Sequence, residues 1–267
     1  MTASSTRPRT ALIGHTGFIG SNINAVHTFD AYYNSANLHE IRGQHFDLVV
    51  SAAGRADSHR INADPDSDRR EIDELLRHIC TANIDKLSVM STVCVYPGGS
   101  TPDEDAPITE EGLLPYGTNR AYLERRLSEA FDTLVARLPQ LYGRNLKKGI
   151  VHDLLNDYRV EHIAPSARFQ FYNLTRLWSD LQLASHRSLR YLNLATPPLT
   201  SGQIAREVFG LELAADNGPV AAEPYTKDLR TKYYQLFGGP PGYLMTTDEV
   251  LADLRAFVSA SRSRTEG

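Results

Sequence analysis

The sequence predicts an α/β protein organised on an open parallel sheet, with a smaller α/β lobe toward its C-terminus. Three observations carry this expectation. From residue 11 to about residue 143, short apolar runs alternate with helical patterns, as strands joined by crossover helices do. The first run, Ala11 to Ile13, leads straight into Gly14, Gly17 and Gly20, a G-x-x-G-x-x-G series that opens a helix from about Phe18. Beyond Gly143 the strict alternation weakens, which marks off a second region. Together they give a Rossmann-type doubly wound core over residues 10–145, joined by returning C-terminal segments, and a lobe over 146–260. Residues 1–9 are expected to be a flexible leader and 261–267 a disordered tail.

At 267 residues the chain suits one large domain or a core with a small lobe, and 41% hydrophobic residues supply the interior. A formal net charge of −4 gives no electrostatic case for nucleic acid or an anionic membrane. No run approaches the roughly 18–20 apolar residues of a membrane helix. The opening residues lack the apolar middle of a secretory signal. Cys80 and Cys94 alone build neither a disulfide framework nor a cysteine zinc site, which suits a reducing cytoplasm. The histidines show no metal-ligand spacing, and no metal is expected.

The first turn comprises Gly14, His15, Thr16, Gly17, Phe18, Ile19 and Gly20. Glycines here let the backbone bend sharply and approach a pyrophosphate, with the free N–H groups of the helix facing it. A ligand-free turn with tight helix–sheet packing is the plainer alternative. Thr28 to Tyr33 reads as the second strand, ended by Asn34 and Ser35. In a dinucleotide fold an acidic residue at this point holds the adenosine ribose and repels a 2′-phosphate. Asn34 bonds to either form, so NADP is permitted and slightly favoured, and NAD is not excluded. His15 is placed either to meet a 2′-phosphate or to cap the loop. The stretch 35–44 leaves room for one short helix. Phe46 to Ser51 is the third strand; the small Ala52, Ala53 and Gly54 after it would let a cofactor's adenosine side lie across the sheet edge, or simply make a tight turn.

Asp64-Pro65 signals a helix start, and Ile72, Leu75, Leu76 and Ile79 fall at i, i+3, i+4 and i+7 of a helix expected over 68–82. Leu87 to Met90 is a strand that delivers Ser91 to Pro97 at its carboxyl end, the edge where open parallel sheets carry ligands. Residues 97–115, rich in Pro, Gly and acid, read as a flap. A helix begins at Tyr116 to Arg120, with Leu123, Leu127 and Ala130 on its apolar side. Leu134 to Leu138 is a further strand, closed by Pro139 to Gly143. Later come a helix from Ile150 to Tyr158, the segment Arg168 to Tyr172, a short strand Tyr191 to Leu194, a helix Ser201 to Phe209, a turn Gly238 to Gly242 and a last amphipathic helix, Asp248 to Ser259.

The chemistry-bearing residues lie in one order: the glycine turn, Thr92, then Tyr116 with Arg120 four residues on. That spacing puts phenol and cation on one helix face. A fixed positive charge favours phenolate and draws a tyrosine from near pH 10 toward useful acid/base range. Thr92 is placed to donate to the substrate oxygen.

On these residues the sequence resembles the extended short-chain dehydrogenase/reductase family of NAD(P)-dependent nucleotide-sugar epimerases, dehydratases and reductases, over nearly its whole length. Gly14 to Gly20 matches the cofactor loop, Ser51 to Gly54 the stretch after the third strand, Ser91 to Tyr96 the serine/threonine segment and Tyr116 the catalytic tyrosine. Arg137 to Gly143 looks like the Arg-x-Pro-x-x-Tyr-Gly segment beside the nicotinamide, which brings in Pro139 and Leu141. Gln170 to Leu181 and Tyr191 to Phe209 look like elements of the substrate lobe. The resemblance implies Tyr116 as acid/base, Thr92 as its partner, and hydride transfer between substrate carbon and nicotinamide. It also implies a homodimer through the helices at 68–82 and 119–131, which would require Leu76, Ile79 or Leu123 to face outward.

One position departs from the family, which usually has lysine where this chain has Arg120. Arginine keeps the charge and reaches two ribose oxygens, but is bulkier and relays no proton. The 4,6-dehydratases of the family carry Asp-Glu after the catalytic threonine; here Val93 and Cys94 follow, which disfavours elimination. Ser91 to Pro97 is similar to the segment in GDP-fucose synthase and GDP-mannose 3,5-epimerase, where the cysteine exchanges a proton beside a ketone. Cys94 is a candidate for that role, with Lys147 or Lys148 as second group; a small residue filling a strand end is the plainer alternative. Asn145, Lys148 and Arg168 are candidate contacts for substrate phosphates. The expectation is an NAD(P)-dependent oxidoreductase or epimerase acting on a nucleotide-linked keto-sugar. A dinucleotide-binding protein without turnover and a reductase of a non-sugar carbonyl are the alternatives.

Overall fold

The structure, a computed structural model, describes residues 7–214 and 227–265. Six parallel strands form the main sheet: β1 (Thr10–Ile13), β2 (Ala31–Tyr33), β3 (His45–Ser51), β4 (Asn83–Thr92), β5 (Thr133–Leu138) and β9 (Tyr191–Asn193), in the order β2-β1-β3-β4-β5-β9. The chain leaves β1 toward β2 and then crosses back to β3 on the other side. Strand order therefore reverses at β1, and the crevice at the carboxyl ends of β1 and β3 is where such sheets take ligands.

The inner strands, β1 and β5 above all, are buried on both faces, which is why they read as continuous apolar runs. Ala11, Ile13, Val49 and Val89 face helices α3 (Pro65–Ile79) and α4 (Pro115–Ala130), against Ile72, Leu75, Leu76, Ile79, Leu123 and Leu127. Leu12, Val50, Met90, Leu134 and Ala136 pack on the opposite face with Leu177 and Leu181 of α6 (Leu177–His186) and Leu251 and Leu254 of α8 (Thr247–Thr265). Between these lie α1 (Phe18–Asn24), α2 (Ser58–Ala63), α5 (Ile150–Leu155) and α7 (Ser201–Ile204), which runs on into a π turn at Ala205–Phe209. Two small sheets complete the second region: β6 (Gln140–Tyr142) pairs with β8 (Phe171–Asn173), and β7 (Arg168–Phe169) with β10 (Leu199–Thr200).

Several boundaries move from the sequence expectation for identifiable reasons. Asp64 caps α3, accepting from Ser67 N at 3.2 Å, so the helix starts at Pro65 rather than 68. β2 is short because Asp30 turns its carboxylate to the amide and hydroxyl of Thr10 instead of extending the strand. β4 reaches back to Asn83, where it still pairs with β3. α5 stops at Leu155, ahead of left-handed backbone at Asp157 and Arg159. The leader is not loose at its end: Arg9 donates to Gln44 and to the carbonyl of His45, its amide bonds Asp47, and Arg7 pairs with Asp30. The tail expected from 261 continues α8 to Thr265; residues 1–6 and 266–267 lie outside the described residues. Leu76, Ile79 and Leu123, needed outward for the family's apolar dimer helices, are all buried within the chain. No helix among the described residues is long and apolar enough to cross a membrane.

Candidate active site

The glycine spacing answers to close approach. Gly14 has φ +82°, and a Cβ there would lie 2.7 Å from Ala52 O; one at Gly20 would lie 2.1 Å from Gly14 O. Gly14 N donates to Tyr33 O and Ala52 N to Ile13 O, which closes the turn against the ends of β2 and β3. Gly17 caps α1 with no side-chain hydrogen bond, so the N–H groups of the first turn (Phe18, Ile19, Gly20) lack a capping partner. Thr16 and Gly17 are exposed there. A diphosphate fits such an end: the backbone is bare, the donors point outward, and no side chain fills the place. Asn22 staples α1 to the far side of the crevice through Arg144 N and O at 2.9 Å each, where a Cβ on Gly143 would strike it at 2.7 Å.

The remaining cofactor candidates ring this turn. His15 Nδ1 lies 3.0 Å from Tyr33 O, a contact that requires the proton on Nδ1, and its ring meets Tyr32 edge-on. This contact ties the His15 ring to the end of β2. Asn34 folds its Oδ1 onto Ala36 N while its own amide bonds Asn37, and Ser35 is exposed beside it. Ala52 and Ala53 are half-buried, and Gly54, at φ +121°, is exposed. Pro139 and Leu141 are half-buried after β5.

A pocket opens at the carboxyl end of β4. Tyr116, Cys94 and Lys227 line it, with Ser58 and Asn62 of α2 and Gly117 of α4. Tyr116 begins α4 behind Pro115, and its amide donates to Asn62 Oδ1 at 2.9 Å. Gly117 lets the helix start press onto the turn after β4: a Cβ there would lie 2.1 Å from Cys94 O. That turn is capped by Thr92, whose hydroxyl accepts from Cys94 N at 3.2 Å. Tyr116, Thr92 and Cys94 are thus brought together.

Arg120 lies under the Tyr116 ring, its Cζ 4.9 Å from the ring centroid. Its Nη donors are engaged elsewhere. Nη2 bonds Asp68 Oδ1 and Arg55 O, both at 2.8 Å, and Nη1 bonds Asp68 Oδ2 at 3.2 Å; both side chains of the ion pair are about 5% exposed. The expected lowering of the phenol's pKa is not found. Burial pushes Tyr116 above the ordinary tyrosine value, and Cys94 adds to the rise; the opposing pull of Arg120 and of the Thr92 hydrogen bond is smaller.

The second group beside Cys94 is Lys227, in place of the expected Lys147 or Lys148. Burial lowers its ammonium below the usual lysine range, and neighbouring Cys94 pulls it partly back. Lys148 instead donates to Ala56 O at 2.8 Å, across the mouth of the crevice. Asn145 is exposed with φ 65°, Arg168 is exposed on β7, and neither lines the pocket. Lys227 carries no local motif. Its segment is delivered by long-range contacts: Gln170 bonds both Leu229 N and Leu229 O, Asn193 bonds Arg230 O, and Glu104 accepts from Thr231 and from Lys232 N.

A model of the NAD dependent epimerase/dehydratase family matches residues 25–164, a span that contains Thr92, Cys94, Tyr116 and Arg120 and begins just after the glycine turn. No curated protein matches the chain. Several solved structures share the fold. MoeE5 in complex with UDP-glucuronic acid and NAD is 15% identical, with a TM-score of 0.74 over 96% of this chain and 99% of that one. The UDP-glucose 4-epimerase of Thermotoga maritima with UDP-glucose is 13% identical, with a TM-score of 0.73 over 96% and 99%. The dTDP-4-dehydrorhamnose reductase of Bacillus anthracis in complex with NADP is 15% identical, with a TM-score of 0.71 over 94% and 98%.

Proposed function

The chain belongs to the NAD dependent epimerase/dehydratase family, and from that premise we propose that it reduces a keto group on a nucleotide-linked sugar. The observation that carries the reading is the position of Tyr116, with its hydroxyl held neutral by burial, at a pocket beside the crevice that the glycine turn opens. Bound nicotinamide dinucleotide supplies a hydride in this chemistry. Gly14 to Gly20 would hold its phosphates, Asn34, Ser35 and Ala52 to Gly54 would border its adenosine side, and Pro139 and Leu141 would border the nicotinamide. Tyr116 gives its proton to the carbonyl oxygen as the carbon accepts hydride, and Thr92 orients that oxygen by a hydrogen bond. Asn34 carries no charge to repel a 2′-phosphate, which favours NADP slightly over NAD.

A second reading rests on Cys94 and Lys227. A thiol and an amine on one pocket wall can exchange a proton at a carbon beside the ketone, which makes epimerisation before reduction the neighbouring activity. The neighbours in complex with UDP-sugars support a nucleotide sugar as ligand. Lys148 and, more remotely, Asn145 and Arg168 are the cations and amide available to its phosphates. A homodimer through α3 and α4 would be a polar one, built on Arg69, Asp73, Tyr122 and Arg126 rather than on leucines. Free Cys80 and Cys94 suit the reducing cytoplasm as the place of the reaction.

Calorimetry with NAD, NADH, NADP and NADPH tests the premise, followed by turnover of a 4-keto nucleotide sugar read as loss of reduced nicotinamide absorbance. Binding of a reduced dinucleotide in the micromolar range and measurable oxidation of it are expected. No affinity for any pyridine nucleotide would overturn the reading. Binding without turnover would favour the non-catalytic alternative, and turnover with simple ketones alone would favour the non-sugar one.

A further inference from the structure

The cation beneath Tyr116 is already spoken for. Arg120 makes a two-pronged contact with Asp68 and a third bond to Arg55 O, and Asp68 is itself fixed by Asn119 Nδ2 at 2.9 Å. The guanidinium lies by the ring, and its two Nη groups are engaged by Asp68 and by Arg55 O. We infer that Asp68 is a positioning residue which, by tethering Arg120 and offsetting its charge, limits the pull of that cation on Tyr116 and leaves burial to hold the phenol in its hydroxyl form, so that the site starts from the ketone and reduced dinucleotide. This rests on the reading above and deepens it. In the step it serves, the O–H bond of Tyr116 breaks and its proton joins the carbonyl oxygen. The carbonyl carbon takes hydride and is reduced to a secondary alcohol, while the dihydronicotinamide is oxidised and the phenolate regains a proton from water.

An oxidative first step needs the opposite resting state, a phenolate able to take the proton of an alcohol. An unpaired cation close by would favour that state. Here Asp68 offsets that charge and burial outweighs what remains of the pull of Arg120 on the phenol, and a buried pair this well bonded does not readily release its arginine. The groups that face Tyr116 are Arg120 from its own helix, Thr92 and Cys94 from the turn after β4, Lys227 from the segment opposite, and the neutral Ser58 and Asn62 from α2. Cys94 resists ionisation of the phenol; Lys227, partly discharged by burial, offsets little of that.

The test needs neither dinucleotide nor substrate. Tyrosines labelled with carbon-13 at Cζ are followed by NMR from neutral to alkaline pH, and the Tyr116 signal is identified by its loss in Tyr116→Phe. In Asp68→Asn the midpoint of that signal is expected to fall by about 1 pH unit or more, as a released neighbouring cation would make it. Asp68→Glu should return it toward wild type. Should Asp68→Asn fail to fold, the double variant Asp68→Asn/Arg120→Gln is read instead. Removing both members of a cancelling pair leaves the midpoint near its wild-type place, whereas a rise of about 1 unit or more would show Arg120 acting uncancelled and overturn the inference. A folded Asp68→Asn protein with an unmoved Tyr116 midpoint would also overturn it. Failure of nucleotide binding would defeat the functional reading alone, since the titration stands without it.

Discussion

Tyr96 and Tyr116 each sit over a buried arginine, and both rings reach the same pocket. Arg137 lies 5.1 Å from the Tyr96 ring and Arg120 lies 4.9 Å from the Tyr116 ring. Each arginine is tied to a buried carboxylate, Glu124 and Asp68, at 2.8 Å. Helix α4 serves both, with Arg120 turned to α3 and Glu124 one turn later turned to β5. The difference is in the phenol oxygen. Tyr96 Oη accepts from Arg137 Nη1 at 2.5 Å and donates to Asp103 O at 2.9 Å, so its bonding is complete within the fold. The Tyr116 hydroxyl lies beside Thr92 and the Arg120 guanidinium at the pocket. The same residue types thus make an anchor for the 97–115 loop in one place and, in the proposed chemistry, an acid in the other.

The sharpest way to break this comparison is to remove each hydroxyl in turn. Tyr116→Phe should lower turnover by about 10²- to 10⁴-fold, the usual share of a general acid, with the unfolding midpoint in urea essentially unchanged. Tyr96→Phe should do the reverse. It removes the Tyr96 partner of Arg137 Nη1 and one of two donors to Asp103 O, and is expected to cost about 1–3 kcal/mol of stability while turnover stays within a few-fold. Equal losses of rate in the two variants would mean that the tyrosines do not differ in role.

The carboxylates come next. Glu124→Ala strands a buried arginine between β5 and α4 and takes away the partner of the Ser91 hydroxyl. A loss of about 3–5 kcal/mol is expected from urea unfolding, and Glu124→Ala/Arg137→Met should recover part of it, since removing both charges is gentler than removing one. A Glu124→Ala protein as stable as wild type would show that water already reaches this pair.

These pairs also mark how far the sequence could be read. The main sheet was legible because two-sided burial writes Leu12, Ile13, Val49, Val50 and Val89 as unbroken apolar runs, and α3 because its inward face repeats at helical spacing. The glycine turn was legible because Gly14 and Gly20 meet a steric demand that no larger residue satisfies. The order of Thr92, Cys94, Tyr116 and Arg120 was legible too, although what Arg120 bonds was not. Asp68 reads in the chain as one more acid in the first turn of a helix, and its contact with Arg120 spans 52 residues. Lys227 was out of reach for the same reason, because Gln170, Asn193 and Glu104 bring its segment in from distant strands. The lysines that proximity in sequence suggested lie elsewhere, with Lys148 bound at Ala56.

The smallest effect bears on that delivered segment. Glu104 is buried and accepts from Asn193 N at 2.8 Å, Thr231 Oγ1 at 2.7 Å and Lys232 N at 2.9 Å. Burial nevertheless raises its carboxyl above the ordinary glutamate value near 4.5, outweighing the three hydrogen bonds that pull it down. The folded chain therefore binds this proton more tightly than the unfolded one. Its contribution to stability is whole below the unfolded value and fades as pH climbs through the folded value. Measured against Glu104→Gln, which does not titrate, the wild type should lose relative stability as pH rises from about 4.5 and then level off once the carboxyl is ionised. A difference that stays flat or grows with pH would mean that the hydrogen bonds win over burial. The anchor beside Lys227 would then hold most firmly in its charged form, and the Cys94–Lys227 wall would tighten toward neutral pH instead of loosening.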